Sequence, residues 1–386
     1  MTGISVSAAG VITGASFETF TVNPIASDEV QGLYVRESAG GGFQALAVDP
    51  TYDRVWGASS YGISYIPYVD GQRSTRVDVC ARPSSQSGVN MVFDGDYVYL
   101  VTSGNASKQG QVWRSPVPGE SASFTWTLIF DLTGFTTTDA ENVDGAVNSY
   151  FREGSFAVSG QEACIVEYGS TLVGGTNVYL TQNCHVSRSS MLWTKTKTFE
   201  NAKHGHSVTR VGTKWWVMIG DTGSDDIGLW SSGDGVTWAK RSVHGESGNP
   251  FYGINLYPVT ILGAPVMLTE ADNLHGHSVL CYPSQEATGS FPLTPVVDAD
   301  WPYNLGTVFA LAYTTEGNLM WFQTGENGAV GPQDSFWISC PPFRSAVLLE
   351  AVPSNNSLGS MFHAVEIHDD VYFGGWRIVK EKFVGQ

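Results

Sequence analysis

Two histidines separated by a single glycine are the residues of this sequence best placed to do chemistry. His204 and His206 stand at the start of an alternating apolar segment. In an extended chain, the side chains of residues i and i+2 point to the same face. Two imidazoles beside carboxylates can hold Zn²⁺ or Mn²⁺, or can move protons. The same groups can instead line a hydrated channel and satisfy backbone groups at strand ends, and this is the interpretation that we favour.

Other polar and aromatic residues follow strands that should end on the same side of the fold. The candidates for a ligand- or partner-facing surface are His204, His206, Asp221, Asp225, Asp226, Glu270, Asp272, His275, Glu326, Trp301 and Tyr303. Trp301 and Tyr303 could stack on sugar rings or could cap a junction between sheets. A zinc site would need at least three of His204, His206, Asp221 and Glu270 around one ion. We expect no metal, no cofactor and no catalytic residue there.

The elements that must position these residues belong to a repeated unit. Residues 204–240 show three alternating apolar segments and a fourth around VTWAK, separated by Gly- and Asp-containing turns, which is typical of an antiparallel meander. Similar units begin near residues 43, 89, 162, 253, 307 and 361. Their spacing of about 40–55 residues is that of propeller blades.

The repeat therefore predicts an all-β fold, a β-propeller of seven four-stranded blades, with six blades as the alternative and a large β-sandwich as the other architecture. Residues 1–42 should supply strands that complete the last blade, because a propeller removes its sheet edges by closing into a ring. Residues 43–386 should form the propeller, with an insertion at about 131–160.

One turn resembles a known family motif. Residues 231–238, SSGDGVTW, resemble the Asp-box of sialidase-like (BNR) propellers through Ser231, Gly235, Thr237 and Trp238, with Asp234 one place later than the aspartate of the motif. The resemblance implies a structural turn, in which the polar side chains satisfy backbone groups and the tryptophan packs between blades. Sialidases also use three arginines and a Tyr/Glu pair. Arg36 is only a distant match for the first arginine, so no catalytic residue is carried over.

The bulk composition excludes several classes of function. The formal net charge of −17 would repel a phosphate backbone, so nucleic acid is not an expected partner. Five scattered cysteines form no CxxC pair, which argues against a zinc ribbon and against a disulfide framework. No apolar run is long enough for a membrane helix. The N-terminal residues lack the pattern of a secretory signal peptide, so we expect the protein in the cytoplasm or in an assembled particle.

Two hypotheses of function follow. The first is a non-enzymatic recognition or structural protein, such as a virion component in a phage tail or receptor-binding apparatus, with other protein subunits and a surface glycan as partners. The alternative is a sialidase-like glycoside hydrolase or lyase acting on a cell-surface polysaccharide. The enzyme would require two carboxylates about 5–10 Å apart in a deep pocket.

Overall fold

The computed structural model describes most of the chain. The described residues are 5–6, 12–13, 34–38, 43–49, 51–59, 62–104, 109–120, 123–133, 149–169, 175–187, 190–220, 226–241, 253–261, 264–271, 279–283, 294–295, 308–323, 335–339, 347–351, 364–368, 370–373 and 376–380. All 33 regular elements within these ranges are β-strands, so the protein is all-β. None of the described residues belongs to a helix that could span a membrane.

The chain divides into two compact units. The central unit comprises Phe43–Arg241 and Gly248–Leu256, and the terminal unit comprises Met1–Gly42, Ser242–Ser247 and Tyr257–Gln386. Apart from a short hairpin of β1 (Ser5–Val6) and β2 (Ile12–Thr13), the strands form seven sheets of at least four strands. We number these sheets along the chain.

The first two sheets of the central unit follow chain order. After β3 (Tyr34–Ser38), the first sheet contains β4 (Phe43–Asp49), β5 (Arg54–Ser59), β6 (Ile63–Val69), β7 (Gln72–Arg73) and β8 (Val77–Cys80). The second sheet contains β9 (Ser87–Asp94), β10 (Tyr97–Ser103), β11 (Gly110–Pro116) and β12 (Thr127–Asp131). Each strand pairs antiparallel with its neighbour, as expected for a meander.

The third and fourth sheets are interleaved in sequence. After β13 (Ser149–Tyr150), the third sheet contains β14 (Phe156–Ser159), β15 (Glu162–Val166), β17 (Thr176–Thr181) and β18 (Thr194–Phe199). The fourth sheet contains β13, β16 (Tyr168–Gly169), β19 (His204–Val211), β20 (Lys214–Gly220), β21 (Gly228–Ser232) and β22 (Ala239–Lys240). The fourth sheet is therefore extended beyond β19 by two short strands: β13, which precedes β14 in the chain, and β16, which follows β15.

The last three sheets each have four strands. The fifth contains β23 (Gly253–Ile261), β24 (Ala264–Ala271), β25 (Val279–Pro283) and β26 (Thr294–Pro295); the sixth contains β27 (Val308–Tyr313), β28 (Leu319–Gln323), β29 (Ser335–Ser339) and β30 (Val347–Ala351). The seventh contains β31 (Ala364–Ile367), β32 (Asp370–Phe373) and β33 (Trp376–Lys380), followed in space by β3. In it, residues 34–38 pair antiparallel with residues 376–380.

The number of four-stranded sheets differs from the predicted number of blades. Five sheets, rather than the predicted seven or the alternative six, have the four-stranded form, since the first sheet has five strands and the fourth has six. The first gains β7 through the hairpin turn at Asp70–Gly71, where both residues have positive φ. The fourth gains β13 and β16.

The third unit also begins one strand earlier than the sequence analysis placed it. Residues 149–150 and 156–159 are strands, although they fall inside the expected insertion at 131–160. The segment 162–166 is consequently the second strand of its sheet and not the first. His185 lies between β17 and β18, the third and fourth strands of this sheet.

Apolar side chains between successive sheets form the core. One cluster joins the first and second sheets around Trp56 and Leu100, a second joins the second and third around Phe130 and Trp193, and a third joins the third and fourth around Val178 and Trp215. In the terminal unit, a further cluster joins the sixth and seventh sheets. Several strands, such as β5, β17 and β29, are buried at every position, so both faces of their sheets contribute to the core.

The contact between the first and second sheets includes a buried ion pair. Arg54 and Asp49 are 2.9 Å apart, with 3% and 0% of their side chains exposed. Arg54 also donates to the carbonyl of Pro118 at 2.8 Å, and Asp49 accepts from the amide of Thr51 at 3.0 Å. Because these polar groups are satisfied within the fold, we assign this pair a structural role.

Candidate functional site: a histidine–tyrosine cluster on the fourth sheet

His204 and His206, the two histidines identified from the sequence, lie together at the N-terminal end of β19. Each is 4% exposed, and their ring centroids are 5.6 Å apart. The ladder between β19 and β20 shifts between Gly205 and Ser207, so the chain does not run here as a regular strand. His204 pairs with Gly220, and Asp221 and Asp225 follow that residue in the sequence.

Gly205 is required by close packing. A Cβ at this position would lie 2.1 Å from Val166 Cγ2 and 2.5 Å from the carbonyl oxygen of Glu167. The amide of Gly205 donates to that same carbonyl at 2.9 Å. The glycine therefore allows the start of β19 to lie against the end of β15. As a result, Tyr168, the residue after Glu167, contacts the histidines.

That residue, Tyr168, forms the centre of an aromatic group. Its ring stacks on His204 with a centroid separation of 3.8 Å and lies 5.8 Å from His206 and 5.1 Å from Tyr150. Strand pairing sets this arrangement, because Tyr168 is the register partner of both Tyr150 and His204. Tyr150 and Tyr168 remain half-buried, so their rings reach solvent while the imidazoles behind them do not.

Arg152 adds a guanidinium to this group. Its Cζ lies 4.7 Å from the ring centroid of Tyr168 and 5.8 Å from that of Tyr150, within the range of cation–π attraction. Burial lowers the pKa of Arg152, but Glu153, Tyr168 and Tyr150 raise it, and the net direction is upward. We call Tyr150, Arg152, Tyr168, His204 and His206 the histidine–tyrosine cluster.

Glu153, the residue after Arg152, is a buried carboxylic acid next to the cluster in the sequence. Its side chain is 5% exposed. Burial raises the pKa of Glu153 to about 7, against the opposing effects of the Arg152 charge and of its own backbone amide. Burial of Glu153 therefore favours the protonated form of its carboxyl group.

A second glycine fixes the segment that carries Arg152 and Glu153. Gly154 forms a parallel bridge with Ser207, and its carbonyl accepts from the amide of Val208 at 2.8 Å. A Cβ at Gly154 would lie 2.4 Å from Ser207 Cβ and 2.7 Å from Asn255 Oδ1. The segment consequently lies along β19 with little freedom to move.

Glu167 anchors the connection between β15 and β16 from within the core. It is 0% exposed and accepts three hydrogen bonds: from Tyr179 Oη at 2.6 Å, from Asn177 Nδ2 at 2.9 Å and from the amide of Asn177 at 3.2 Å. Tyr179 is also 0% exposed. This Tyr/Glu pair is fully buried, and its hydrogen bonds fix the residue that precedes Tyr168.

The structure brings together only part of the predicted surface. Asp226 accepts from the amide of Asn201 at 3.2 Å, and its carbonyl accepts from Trp230 Nε1 at 2.7 Å. Glu270 lies in β24 opposite Val279. The remaining candidates lie outside the described residues: Asp221, Asp225, Asp272, His275, Glu326, Trp301 and Tyr303. Within the described ranges, no three His, Cys, Asp or Glu side chains are grouped so as to hold a metal ion.

The Asp-box segment forms a tight turn between β21 and β22. Asp234 accepts from Ser232 Oγ at 2.8 Å, from the amide of Val236 at 2.8 Å and from the amide of Thr237 at 2.7 Å. The hydrogen bond from the Thr237 amide, followed by those from Val236 and Ser232, lowers the pKa of Asp234. The serine that bonds Asp234 is therefore Ser232, whereas Ser231 accepts from Arg241 Nε at 2.8 Å.

The same turn packs onto the third sheet. Gly235 has a φ of 72°, and a Cβ there would lie 2.4 Å from Leu180 Cδ2. Trp238 donates from Nε1 to the carbonyl of Gly235 at 3.1 Å and packs, half-buried, against the cluster that joins the third and fourth sheets. These contacts are structural.

Sequence reasoning missed Tyr150, Arg152, Glu153 and Tyr168. The segments YFREG and VEYG each place a charged residue beside an aromatic one at the edge of an apolar segment. That pattern was the available signal. It was overlooked because the first segment was assigned to a polar insertion and the second to the interior of a first strand.

Comparison with known proteins gives the fold. No family model and no curated protein matches the chain. Among solved structures, the WD40 β-propeller domain of Doa1 matches with a TM-score of 0.50 at 12% identity, over 91% of this chain and 97% of that one. The fold is a β-propeller.

Two solved structures of one longer protein also resemble this propeller. Both show the extracellular domain of the same protein from B. thetaiotaomicron, which is described once as a one-component and once as a hybrid two-component system. Their TM-scores are 0.53 and 0.54, at 11% and 14% identity over 91% and 92% of this chain. The propeller spans 40% of the length of each. At such identities the likeness establishes the fold alone.

Proposed function

We propose that this propeller is a non-enzymatic recognition protein and that its ligand- or partner-facing surface is centred on the histidine–tyrosine cluster. The observation that carries this proposal is the half-buried group of Tyr150, Arg152 and Tyr168 backed by two buried histidines. Aromatic rings with a fixed guanidinium offer contact area and hydrogen bonding at a small loss of conformational entropy.

The rigid support of the cluster favours recognition. Strand pairing holds Tyr168, the bridge at Gly154 holds Arg152, and the hydrogen bonds of Glu167 hold the β15–β16 connection. A surface whose side chains are already placed binds with less reorganisation.

The hydrolase alternative receives less support. A sialidase-like glycoside hydrolase or lyase needs two carboxyl groups that both reach the substrate. Glu153 is one candidate, but Glu167 is fully buried and already accepts three hydrogen bonds. Among the described residues, the cluster therefore presents one titrating carboxyl group and no accessible partner for it.

We extend the proposal to the setting of the protein. It belongs to a virus particle, as a phage-tail or receptor-binding component, with other protein subunits and a surface glycan as partners. The support is compositional: 44 glycines and only 20 lysines and arginines in 386 residues suit a loop-rich display scaffold. Antibody detection of the chain in density-purified particles supports this setting, and its confinement to the soluble lysate contradicts it.

Two finer points of architecture belong to the proposal. We propose that the five-stranded and six-stranded sheets also serve as blades, which makes the blade number seven. We also propose that the turn at Asp234 is a shortened Asp-box of the sialidase-like kind, on the support of its three hydrogen bonds and of the packing of Trp238.

The recognition function is tested with a defined glycan panel and a matched pair of variants. Tyr168 has Arg152 Cζ 4.7 Å from its ring centroid and a histidine ring 3.8 Å away. Tyr97 has Arg114 Cζ at 4.8 Å and the ring of His185 at 4.5 Å, at the opposite end of its sheet. We expect Tyr168→Ala to lower glycan affinity by at least tenfold and Tyr97→Ala to leave it unchanged. Binding by neither wild type nor variants, or equal losses in both variants, contradicts the proposal.

A further inference from the structure

One segment of this acidic protein carries an excess of positive charge. Residues 194–241, from the last strand of the third sheet to the end of the fourth, contain seven lysines and arginines against five aspartates and glutamates. The other 338 residues contain 13 against 32. Five of the eight lysines of the chain lie in this segment. Positive charge is therefore concentrated on two neighbouring sheets.

Three of these lysines lie on strands at the edges of the two sheets. In the described part of the chain, β18 pairs only with β17, and it carries Lys195 and Lys197. Lys197 Nζ lies 5.8 Å from the ring centroid of Trp230 in the fourth sheet, and Lys240 on β22 is the register partner of that tryptophan. Lys195 is exposed, and the other three residues are half-buried. We call Lys195, Lys197, Trp230 and Lys240 the basic edge.

The opposite charge lies where turns of the first and second sheets meet. The carbonyls of Asp53 and Asp96 each accept, at 2.8 Å, a backbone amide from another turn of the same sheet. Arg54 joins the two sheets there by donating to the carbonyl of Pro118. The acidic and exposed apolar side chains of these turns, which we call the acidic end, are Asp53, Asp70, Asp96, Glu120, Tyr52 and Val69. Tyr52 and Val69 are 38% and 62% exposed, which adds apolar contact area to the negative charge.

We propose that the basic edge of one copy of this chain docks on the acidic end of a second copy. Carboxylates of the acidic end neutralise the lysines, and its two apolar side chains contact Trp230. Lysines at a sheet edge discourage the addition of another strand, so the contact is made by side chains. Because the two surfaces differ, association is head-to-tail and leaves one of each surface for a further copy. This inference does not depend on the glycan recognition proposed above.

The net charge of −17 permits this contact at moderate salt. At about 0.15 M salt, charges are screened beyond about 8 Å, so carboxylates far from the contact add little repulsion, whereas lysines and carboxylates that touch still attract. At about 1 M salt the screening length falls to about 3 Å, and this attraction weakens as well. Self-association should therefore be present at the lower salt concentration and weaken at the higher one.

The test is sedimentation velocity of the full chain at about 1 to 100 μM, a range that covers interfaces of modest affinity. At the lower salt concentration, we expect the average mass to rise with concentration above the 41.6 kDa of the monomer. Lys195→Glu should raise the dissociation constant at least tenfold, because the new carboxylate faces the acidic end. Lys214→Glu is the matched control: it makes the same change of charge on β20, an inner strand of the fourth sheet, and should associate as wild type does.

A charge swap identifies the two surfaces as partners. One variant reverses the basic edge with Lys195→Glu and Lys197→Glu, and the other reverses the acidic end with Asp96→Lys and Glu120→Lys. Each variant alone should be monomeric, because its altered surface then has the same sign of charge as its intended partner. An equimolar mixture of the two should associate again, since each altered surface finds the opposite charge on the other variant.

Several outcomes would overturn the proposal. They are a wild type that stays monomeric over the whole range, association that high salt leaves unchanged, equal weakening by Lys195→Glu and Lys214→Glu, and a mixture of the two reversed variants that stays monomeric. Binding of a glutamate-rich peptide to a wild type that does not self-associate would assign the basic edge to a different acidic partner. Near-UV circular dichroism of each variant establishes that loss of association does not come from unfolding.

Discussion

At the residue scale, Glu153 is the group whose charge depends most directly on its surroundings. Its side chain is buried, and burial, the larger effect, raises its pKa to about 7 against the opposing charge of Arg152. The folded protein therefore binds a proton at Glu153 in a pH range in which the unfolded chain has released it. The contribution of Glu153 to protein stability therefore falls as the pH rises through that range.

The first prediction concerns the pH dependence of stability. A carboxyl group whose pKa is raised in the folded state contributes most below its ordinary pKa of 4.5, and that contribution is lost as the pH rises towards about 7. We expect Glu153→Gln to remove about 2 kcal/mol of the difference in unfolding free energy between pH 5 and pH 8. Urea unfolding at both pH values measures this.

The control for this measurement is Glu162→Gln, which removes a partly exposed carboxylate that bonds Arg210. His204 and His206 are present in wild type and in both variants, so the difference between wild type and Glu153→Gln isolates Glu153. A variant with the full wild-type pH dependence would show that Glu153 is not the titrating group.

The second prediction concerns Trp238. The sequence analysis assigned it to a plug between blades, and the structure places it half-buried against the cluster of the third and fourth sheets. Because part of the ring stays exposed, we expect Trp238→Ala to lower the unfolding free energy by roughly 2–3 kcal/mol, at or below the low end for buried tryptophans. Glycan binding by the folded protein should persist. Selective loss of binding in a well-folded variant would make this turn part of the recognition site.

At the element scale, the approach of β19 to β15 depends on Gly205. The third prediction is that Gly205→Ala lowers the unfolding free energy by several kcal/mol or prevents folding, because a Cβ would lie 2.5 Å from a backbone carbonyl that cannot move aside. Gly233→Ala is the matched control, since nothing lies within 4 Å of its Cβ position. Thermal unfolding of both variants decides the matter: equal melting temperatures would mean that the close approach is not required.

Much of the strand pattern could be predicted from the sequence, because alternation and turn residues act locally. In the fourth unit, the turn at Gly212–Thr213 and the strands on either side of it were recognised correctly. The third unit was shifted by one strand, because Phe156–Ser159 is short and follows a polar stretch that hides its alternation. The pairing of β13 with β16 was not predictable, since it joins two-residue strands on either side of another hairpin.

The site could be predicted only in part, because some of its contacts join residues that are distant in the sequence. His204 and His206 were found because a histidine pair at a strand start is a local pattern. Tyr150, Arg152 and Tyr168 join them only through non-local pairing, with Tyr168 opposite both Tyr150 and His204. Periodicity carries no information on such contacts.

At the scale of the whole molecule, the last sheet is completed by the beginning of the chain. Residues 34–38 pair with residues 376–380 along five register positions. Without β3, the edge of β33 would present unpaired amides and carbonyls, which invite aggregation.

The fourth prediction therefore compares two truncations. Deletion of residues 1–40 removes β3 and should lower the melting temperature and cause aggregation, whereas deletion of residues 1–30 retains the strand and should do neither. Light scattering during thermal unfolding measures both effects. A monomeric protein of unchanged melting temperature after the longer deletion would show that β3 is dispensable for closure of this sheet.

Hydrogen–deuterium exchange with the best-binding glycan of the panel tests the central claim most directly, because it reports where the ligand contacts the intact protein. We expect new protection in peptides that cover residues 149–154, 166–169 and 204–208, which carry the histidine–tyrosine cluster. Exchange at residues 94–97 and 233–238, in turns at the other end of their sheets, should not change. Protection confined to those turns, with exchange at the cluster unaltered, would contradict the account.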